Sequence, residues 1–364
     1  MSEQFDKVFQ RGINSLNSRN LLDARKYFEE AIKIDTNIVS AHNNLGITFI
    51  ELGLLEKAKQ CFNKVIQKDP SHAKAYNNIG IIYLQSGNLI IAKEYFTKSI
   101  QINPDYVNAH WNLHSLSKTI DDALIILEKI LKIDPNFIKA KIIISALEAY
   151  NGNKDKLKEL NQTSISKHPF MRSVNWLFTL DNRPEIFFNK WNFFDFTASK
   201  SISSRPFYEF GVWHGITFKY LINKFKTGYG FDTFTGIPEE WYNESAGHYT
   251  SFGKVPVIDG GKFIVGKFEE TLPKYFAEKR PVASVINFDA DLYSSTLCAL
   301  DNSIKAIDEK TILIFDEFLM SDKWEEDEYK ALKDFCNNNN FEYEVIGVSF
   351  FSKQVAVKLK NMNY

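Results

Sequence analysis

Val285-Ile286-Asn287-Phe288-Asp289-Ala290-Asp291 and Ile312-Leu313-Ile314-Phe315-Asp316-Glu317 share one pattern, a short apolar run that stops at acids. Runs this short and this rich in β-branched residues read as buried strands. If the two strands are neighbours in a parallel sheet, about 4.8 Å apart, their carboxyl-end acids converge on the ligand-binding edge. Carboxylate oxygens grouped there suit a hard divalent cation. Taken singly, acids after strands also serve as helix caps and solvated turns.

Upstream, Phe207-Tyr208-Glu209-Phe210-Gly211-Val212-Trp213-His214-Gly215 reads as a strand ending in a glycine turn that opens a helix through Ile216 to Ile222. Gly211 and Gly215 permit a tight turn and close backbone approach to a ligand. The run lacks the three glycines of a dinucleotide fingerprint. The next strand, Tyr229-Gly230-Phe231, delivers Asp232, 21 residues after Gly211. An acid at that point can accept hydrogen bonds from both hydroxyls of a ribose, which favours a nucleoside cofactor over phosphate cradling. Phe263 to Pro273 adds a third strand and a turn, with Phe268 and Glu269, that can frame an adenine. Phe341 to Val348 and Gln354 to Leu359 close the chain as two strands, so a mostly parallel sheet with one reversed edge strand is expected.

These residues resemble a known family. Glu209 to Gly215, Phe231 to Pro238, Glu270-Thr271-Leu272-Pro273, Asp289 to Thr296 and Phe315-Asp316-Glu317 look like the motifs of macrocin-type O-methyltransferases, in the same order, across roughly 205–360. That family is class I, S-adenosylmethionine-dependent and magnesium-dependent, and methylates sugar hydroxyls of macrolides. The resemblance implies a Rossmann-like methyltransferase sheet with Asp289, Asp316 and Glu317 as metal ligands, Asp289 also assisting deprotonation. Catechol O-methyltransferase has a similar layout, with two acids and an amide. Glu317 stands where the family has a second aspartate, and His214 where arginine is common.

The chemistry suits these residue types. Methyl transfer from a sulfonium to oxygen is an in-line displacement, so the protein must align donor and acceptor and help a hydroxyl lose its proton. Magnesium can orient the acceptor oxygen and lower its pKa while keeping some of its waters. Coordination positions left by three carboxylates match two neighbouring oxygens, which makes a vicinal diol the natural acceptor. Asp291 reads either as a helix cap or as an outer carboxylate that orients ligands. Glu239 to Gly261, rich in glycine, serine and aromatics, reads as a lid carrying His248, a candidate base, and Tyr249. Trp213 reads as packing or as a stacking surface.

The first half repeats. Gly12, Gly46 and Gly80 recur every 34 residues, as do Ala24, Ala58 and Ala92, and Phe28, Phe62 and Phe96; Pro70 and Pro104 keep the same step. Period and residue types resemble tetratricopeptide repeats, in which small residues let two helices approach, an aromatic fills the gap between repeats and proline ends the second helix. A fourth unit runs through Trp111, Ala123, Leu127 and Pro135, three residues shorter and with His114 at the glycine position, where looser packing is expected. Residues 139–168 read as an atypical capping pair. Asn44, Asn78 and Asn112 form a ladder along the repeats that either hydrogen-bonds an extended peptide on the concave face, as in the similar repeats of protein O-GlcNAc transferases, or bridges adjacent repeats and faces water.

The expected division is a solenoid over 1–168, an aromatic helical connector over 169–204 and the α/β sheet over 205–364. The aromatics between Phe170 and Phe196 are too interrupted by polar residues to span a bilayer and are expected to pack against the sheet, with a membrane-surface or acceptor-cleft role as the alternative; they are also the expected place for any homo-oligomer contact. Over 364 residues, 44% hydrophobic, with a net charge of −1, the chain can bury two cores and shows no basic footprint for nucleic acid. Cys61, Cys298 and Cys336 suggest neither a disulfide framework nor a zinc site. Met1 to Asp6 lacks the features of a signal peptide, so the cytoplasm is the expected location. The expected activity is a magnesium-dependent O-methyltransferase acting on a saccharide or other diol, the repeats binding a protein partner or presenting the acceptor. Two alternatives stand beside it: an inactive methyltransferase-fold scaffold, and a metal-dependent nucleotide-sugar glycosyltransferase.

Overall fold

The structure is a computed structural model that describes residues 2–242 and 244–361. Residues divide into two compact units, 1–117 with 125–135 and 242–244 in one, and 118–124 with 136–241 and 245–364 in the other. Residues 139–168, read from the sequence as a solenoid cap, therefore belong with the sheet-bearing unit.

The first unit is built from helix pairs, α1 (Ser2–Asn17) with α2 (Leu21–Ile34), α3 (Val39–Glu51) with α4 (Leu55–Lys68) and α5 (Ala73–Gln85) with α6 (Leu89–Ile102), followed by α7 (Val107–His114) and α8 (Ile120–Ile133), whose first residues, 120–124, fall in the other unit. Asn20 and Asn88 cap α2 and α6 by accepting the amides of Asp23 and Ile91. Pro70 and Pro104 lie two residues beyond α4 and α6, which they cannot continue. Each glycine of the 34-residue series sits under the phenylalanine of its own pair. A Cβ on Gly12, Gly46 or Gly80 would lie 2.7, 2.7 and 2.5 Å from the rings of Phe28, Phe62 and Phe96. The aromatic thus closes the gap within a repeat, where the sequence suggested the gap between repeats. All three rings are fully buried, a contribution of about 2–3 kcal/mol each. The fourth pair differs: α7 stops at His114, which is fully buried with its Nδ1 against the carbonyl of Trp111. The imidazole fills that position, contrary to the looser packing expected.

The second unit opens with α9 (Ile138–Tyr150), α10 (Asp155–Asn161) and α11 (Pro169–Leu177). Its sheet holds β1 (Glu185–Phe187), β2 (Phe207–Phe210), β3 (Gly228–Asp232), β4 (Gly261–Val265), β5 (Val285–Phe288), β6 (Ile312–Phe315), β7 (Glu342–Ser349) and β8 (Val355–Lys360), in the order β1-β7-β8-β6-β5-β2-β3-β4. Helices α12 (Lys190–Ser199), α13 (Ile216–Phe225), α14 (Phe268–Phe276), α15 (Tyr293–Ser303) and α16 (Glu328–Asn339) connect the strands. Strands β2, β5 and β6 are buried along their whole length, as parallel strands covered on both faces must be. The reversed strand is β8, antiparallel to both β6 and β7 and therefore interior. The expected reversed edge is instead a parallel edge, because β1, from the aromatic connector, pairs with β7. Phe187, Phe193 and Phe196 pack where a side chain on Gly347 of β7 would stand. Among the described residues no helix is long and apolar enough to cross a membrane.

A row of stacked rings sets the height of the sheet's carboxyl edge. Phe231, Phe210, Phe288 and Phe315 are register partners across β3, β2, β5 and β6. Their centroids are 4.9, 5.4 and 4.9 Å apart in turn. Cross-strand aromatic pairs stabilise a fixed register. The residues that follow them, Asp232, Gly211, Asp289 and Asp316, therefore form one row on the edge.

Candidate active site at the carboxyl edge of the sheet

Chain order reverses direction between β2 and β5, so the crevice above them is the topological switch point. The row is held by backbone bonds: the amides of Gly211, Asp289 and Asp316 donate to the carbonyls of Phe231, Phe210 and Phe288 at 2.9, 2.8 and 3.0 Å. Gly211 adopts φ +88°, and a Cβ there would stand 1.8 Å from the carbonyl oxygen of Asp289. The close approach that needs this glycine is between the two strand ends.

On the β2–β3 side, Asp232 ties the glycine turn down. Its carboxylate accepts the amides of Val212 and Trp213, both at 2.7 Å, and of Phe234 at 2.6 Å. A carboxylate offers about four acceptor positions, so one remains for a hydroxyl of a ribose. Gly215, at φ +73°, opens α13 and lies under Pro256 and Ile258. Phe268 starts α14 and meets Phe210 edge-on at 5.7 Å, while Glu269 next to it is exposed, 3.8 Å from the ammonium of Lys267. Residues 233–241 and 245–260 fold back over the turn: the Trp213 indole donates to the carbonyl of Thr250, and Ile237 donates to that of His248. The half-buried His248 ring packs on Tyr249 at 4.5 Å, and Tyr249 meets Trp213 edge-on. His248 thus lies in the loop covering the glycine turn.

Beneath the crevice, Glu209 is 1% exposed and accepts the amide of Asn287, its partner on β5, at 3.0 Å. The other oxygen of Glu209 and Asn287 Oδ1 have no partner among the described residues. Burial pushes the Glu209 carboxyl well above the usual range; the Asn287 bond and the ammonium of Lys190 oppose that, and Asp316 and Asp232 add to it.

On the β5–β6 side the acids crowd. Burial first, then Asp316 and Asp291, raises the Asp289 carboxyl well above its ordinary range. Asp291, at φ +60°, is raised by burial and by Glu317 and Asp316. Two hairpin residues close over the pair at the end of β6: Gln354 donates to Asp316, and the Lys353 ammonium lies 2.6 Å from Glu317 Oε2. Glu328, the first residue of α16, is fully buried and accepts the Glu317 amide at 3.0 Å with Oε2, while its Oε1 has no partner among the described residues. Burial and its neighbours Asp291 and Asp316 raise it well above the carboxylate range. The segment leading to it is pinned by α11, through Arg172 on Glu325 at 2.7 Å and Ser173 accepting the Met320 amide at 2.8 Å.

Hard carboxylate oxygens, one of them buried and orphaned, are the donor set a divalent cation takes. As placed, no three His, Cys, Asp or Glu side chains among the described residues close on one ion, and Glu317 is held by Lys353. Asp289, Asp316 and Glu317 thus carry the oxygen chemistry a divalent cation takes, but as placed they do not form a group that could hold one. Reading the sequence missed Asn287, Glu328, Lys353 and Gln354. Glu328 and Lys353 follow Glu317 by 11 and 36 residues, and only the run Glu325-Glu326-Asp327-Glu328 hinted at further acids.

In the repeats, Asn44 donates back to the carbonyl of Ser40, and Asn112 donates to Asn77 of the preceding repeat at 2.9 Å. Asn78 is half-buried beside Asn77. Bridging between repeats is thus seen at Asn112.

The tetratricopeptide repeat family matches residues 39–72 and 73–106. Solved structures similar to the chain include the MamA protein, at 23% identity over 46% of this chain and 95% of that one, with a TM-score of 0.37. A thermophilic tetratricopeptide-repeat protein of Thermus thermophilus follows at 16% identity over 48% of this chain and 100% of that one, with a TM-score of 0.41. YrrB, described as a tetratricopeptide-repeat protein with an unusual peptide-binding site, is 16% identical over 48% and 91%, with a TM-score of 0.36. No curated protein matches the chain. Residues 39–106 are thus tetratricopeptide repeats, an architecture that suggests protein interaction.

Proposed function

We propose that the sheet-bearing unit is an S-adenosylmethionine- and divalent-cation-dependent O-methyltransferase acting on a vicinal diol such as a pair of sugar hydroxyls. The repeats would bind a protein partner or present the acceptor, with Asn44, Asn78 and Asn112 among the contacts. One observation carries the reading: a ribose-type acid, Asp232, and cation-type acids, Asp289 and Asp316, stand in a single row on either side of the switch point.

When bound, the donor would supply an electrophilic methyl group and magnesium would lower the pKa of the acceptor hydroxyl. The residues have the remaining work of alignment and proton transfer. Asp232 would hold the ribose through its spare acceptor position, Glu209, Gly211 and Gly215 would line the donor's path, and Phe268 and Glu269 would flank the base. Asp289, Asp316 and Glu317 would hold the cation, and Asp289 or His248 would receive the acceptor's proton. The folded loop residues 233–241 and 245–260 would exclude water from the reacting atoms.

The test is calorimetric titration of S-adenosylmethionine and of its demethylated product into the whole chain, with and without magnesium chloride, for wild type and Asp232→Asn. Saturable binding that the variant weakens about tenfold supports the reading; an unchanged affinity sinks the ribose assignment. Binding of uridine diphosphate in place of the methyl donor would point to glycosyl transfer, and binding of neither to a scaffold.

A further inference from the structure

Apolar side chains stand clear of the surface along one stretch of the second unit, Phe252 to Val265. Phe252 is 41% exposed, Val255 39%, Val257 101% and Val265, at the end of the outer strand β4, 54%. The backbone fixes them there. Phe252 and Gly253 adopt φ +60° and +72°, and three bonds close the turn they make: the Phe252 amide donates to the Thr250 hydroxyl at 2.8 Å, the Gly253 amide to the Phe234 carbonyl at 2.8 Å and the Ser251 hydroxyl to the Lys254 carbonyl at 2.9 Å. The residues that follow alternate, as side chains of an extended segment do. Pro256 and Ile258 turn inward, 3.0 and 3.2 Å from where a Cβ on Gly215 would stand, which leaves Val255 and Val257 facing outward. Apolar surface grouped in this way marks a binding surface.

The charges around it are mostly cations. Lys254 and Lys262 are exposed within the stretch, against one acid, Asp259. Lys226, whose carbonyl abuts Gly260, and Lys219, one turn into α13 from Gly215, are exposed as well. Glu269 and Glu270 come only after Val265, with Lys267 standing against the first. Protein interfaces are depleted in lysine and enriched in arginine and large aromatics, and they take about 800 Å² from each partner, more than four part-exposed side chains supply. Apolar residues projecting from a rim of lysines suit an anionic lipid surface, which receives the side chains at its acyl boundary and the ammoniums at its headgroups.

We propose that residues 252–265 dock this unit on an anionic lipid bilayer, with Phe252, Val255 and Val257 inserted and Lys254, Lys226 and Lys219 at the lipid phosphates. Docking of this kind needs neither a bound donor nor turnover. It would hold the loop that covers the glycine turn against the headgroups.

The test is sedimentation of the whole protein with extruded vesicles made of equal parts phosphatidylcholine and phosphatidylserine, and with vesicles of phosphatidylcholine alone. Wild type should bind the anionic vesicles about tenfold more tightly or better. Val257→Asp, at a fully exposed side chain, should lose about tenfold on the anionic vesicles, and Lys254→Gln about fivefold there and nothing on phosphatidylcholine. Equal binding by wild type and Val257→Asp, or by wild type to both kinds of vesicle, overturns the proposal. A second copy of the chain is the competing occupant: a dimer in analytical ultracentrifugation that Val257→Asp dissociates, with no vesicle binding, overturns it in favour of self-association. A polarity-sensitive dye on Val257→Cys, in a chain carrying Cys298→Ser because the other two cysteines are buried, should shift its emission to the blue on anionic vesicles. An unchanged spectrum counts against insertion.

Discussion

His114 should make the stability of the repeats depend on pH, because burial leaves it a neutral histidine. It is fully buried at the position held by glycine in the first three units, and its ring lies 4.4 Å from that of Trp111. Burial lowers its pKa from 6.5 to about 4, opposed by its bond to the Trp111 carbonyl. A folded pKa below the unfolded one means that the unfolded chain binds more protons between the two values. The stability His114 permits is therefore complete above pH 6.5 and drains away as pH falls toward 4. At 1.36 kcal/mol per pKa unit the loss amounts to roughly 3 kcal/mol. Urea unfolding followed by tryptophan fluorescence, with Trp111→Phe to assign the transition of the repeats, measures it at a series of pH values. The reference is His114→Gln, which removes the titration and cancels the contribution of every other group. Wild-type stability should fall relative to this variant by about 3 kcal/mol between pH 7 and pH 4. Parallel curves would refute the reasoning, and so would a His114 ring, assigned by its loss in His114→Gln, that titrates near 6.5 in the folded protein.

Two further outcomes test the packing and the crevice. Gly80→Val should cost about 2–3 kcal/mol in thermal or urea unfolding of the repeats, since even a Cβ would meet the Phe96 ring at 2.5 Å; a loss below 0.5 kcal/mol would mean that the pair can spread. Glu209→Gln should raise stability at pH 8 by about 1–4 kcal/mol and leave it nearly unchanged at pH 4. The sign follows from the raised carboxyl: a native state that holds its proton longer than the unfolded chain is favoured below the ordinary value of 4.5 and loses that advantage as pH rises. A variant less stable than wild type at pH 8 would show that the charge is compensated.

The sequence alone determined the parts that are local or periodic. Helix pairs at a 34-residue step follow from Gly46, Phe62 and their repeats, because a ring and a missing Cβ must meet on every turn of the same pattern. The strands ending at Asp232, Asp289 and Asp316 were legible for the same reason, as short apolar runs with an acid at the stop. Tertiary structure alone decided what is assembled from distant residues. Strand order, with β8 turned inside and β1 recruited from the connector, depends on which edges find partners, and no local pattern encodes that. The surroundings of the acids were decided in the same way. Glu328 arrives after a segment pinned by Arg172 and Ser173, and Lys353 on a hairpin whose turn is held by serines, so their meeting with Glu317 exists only once the sheet has closed. Charge interactions depend on distance through space and on burial, and a linear sequence carries neither.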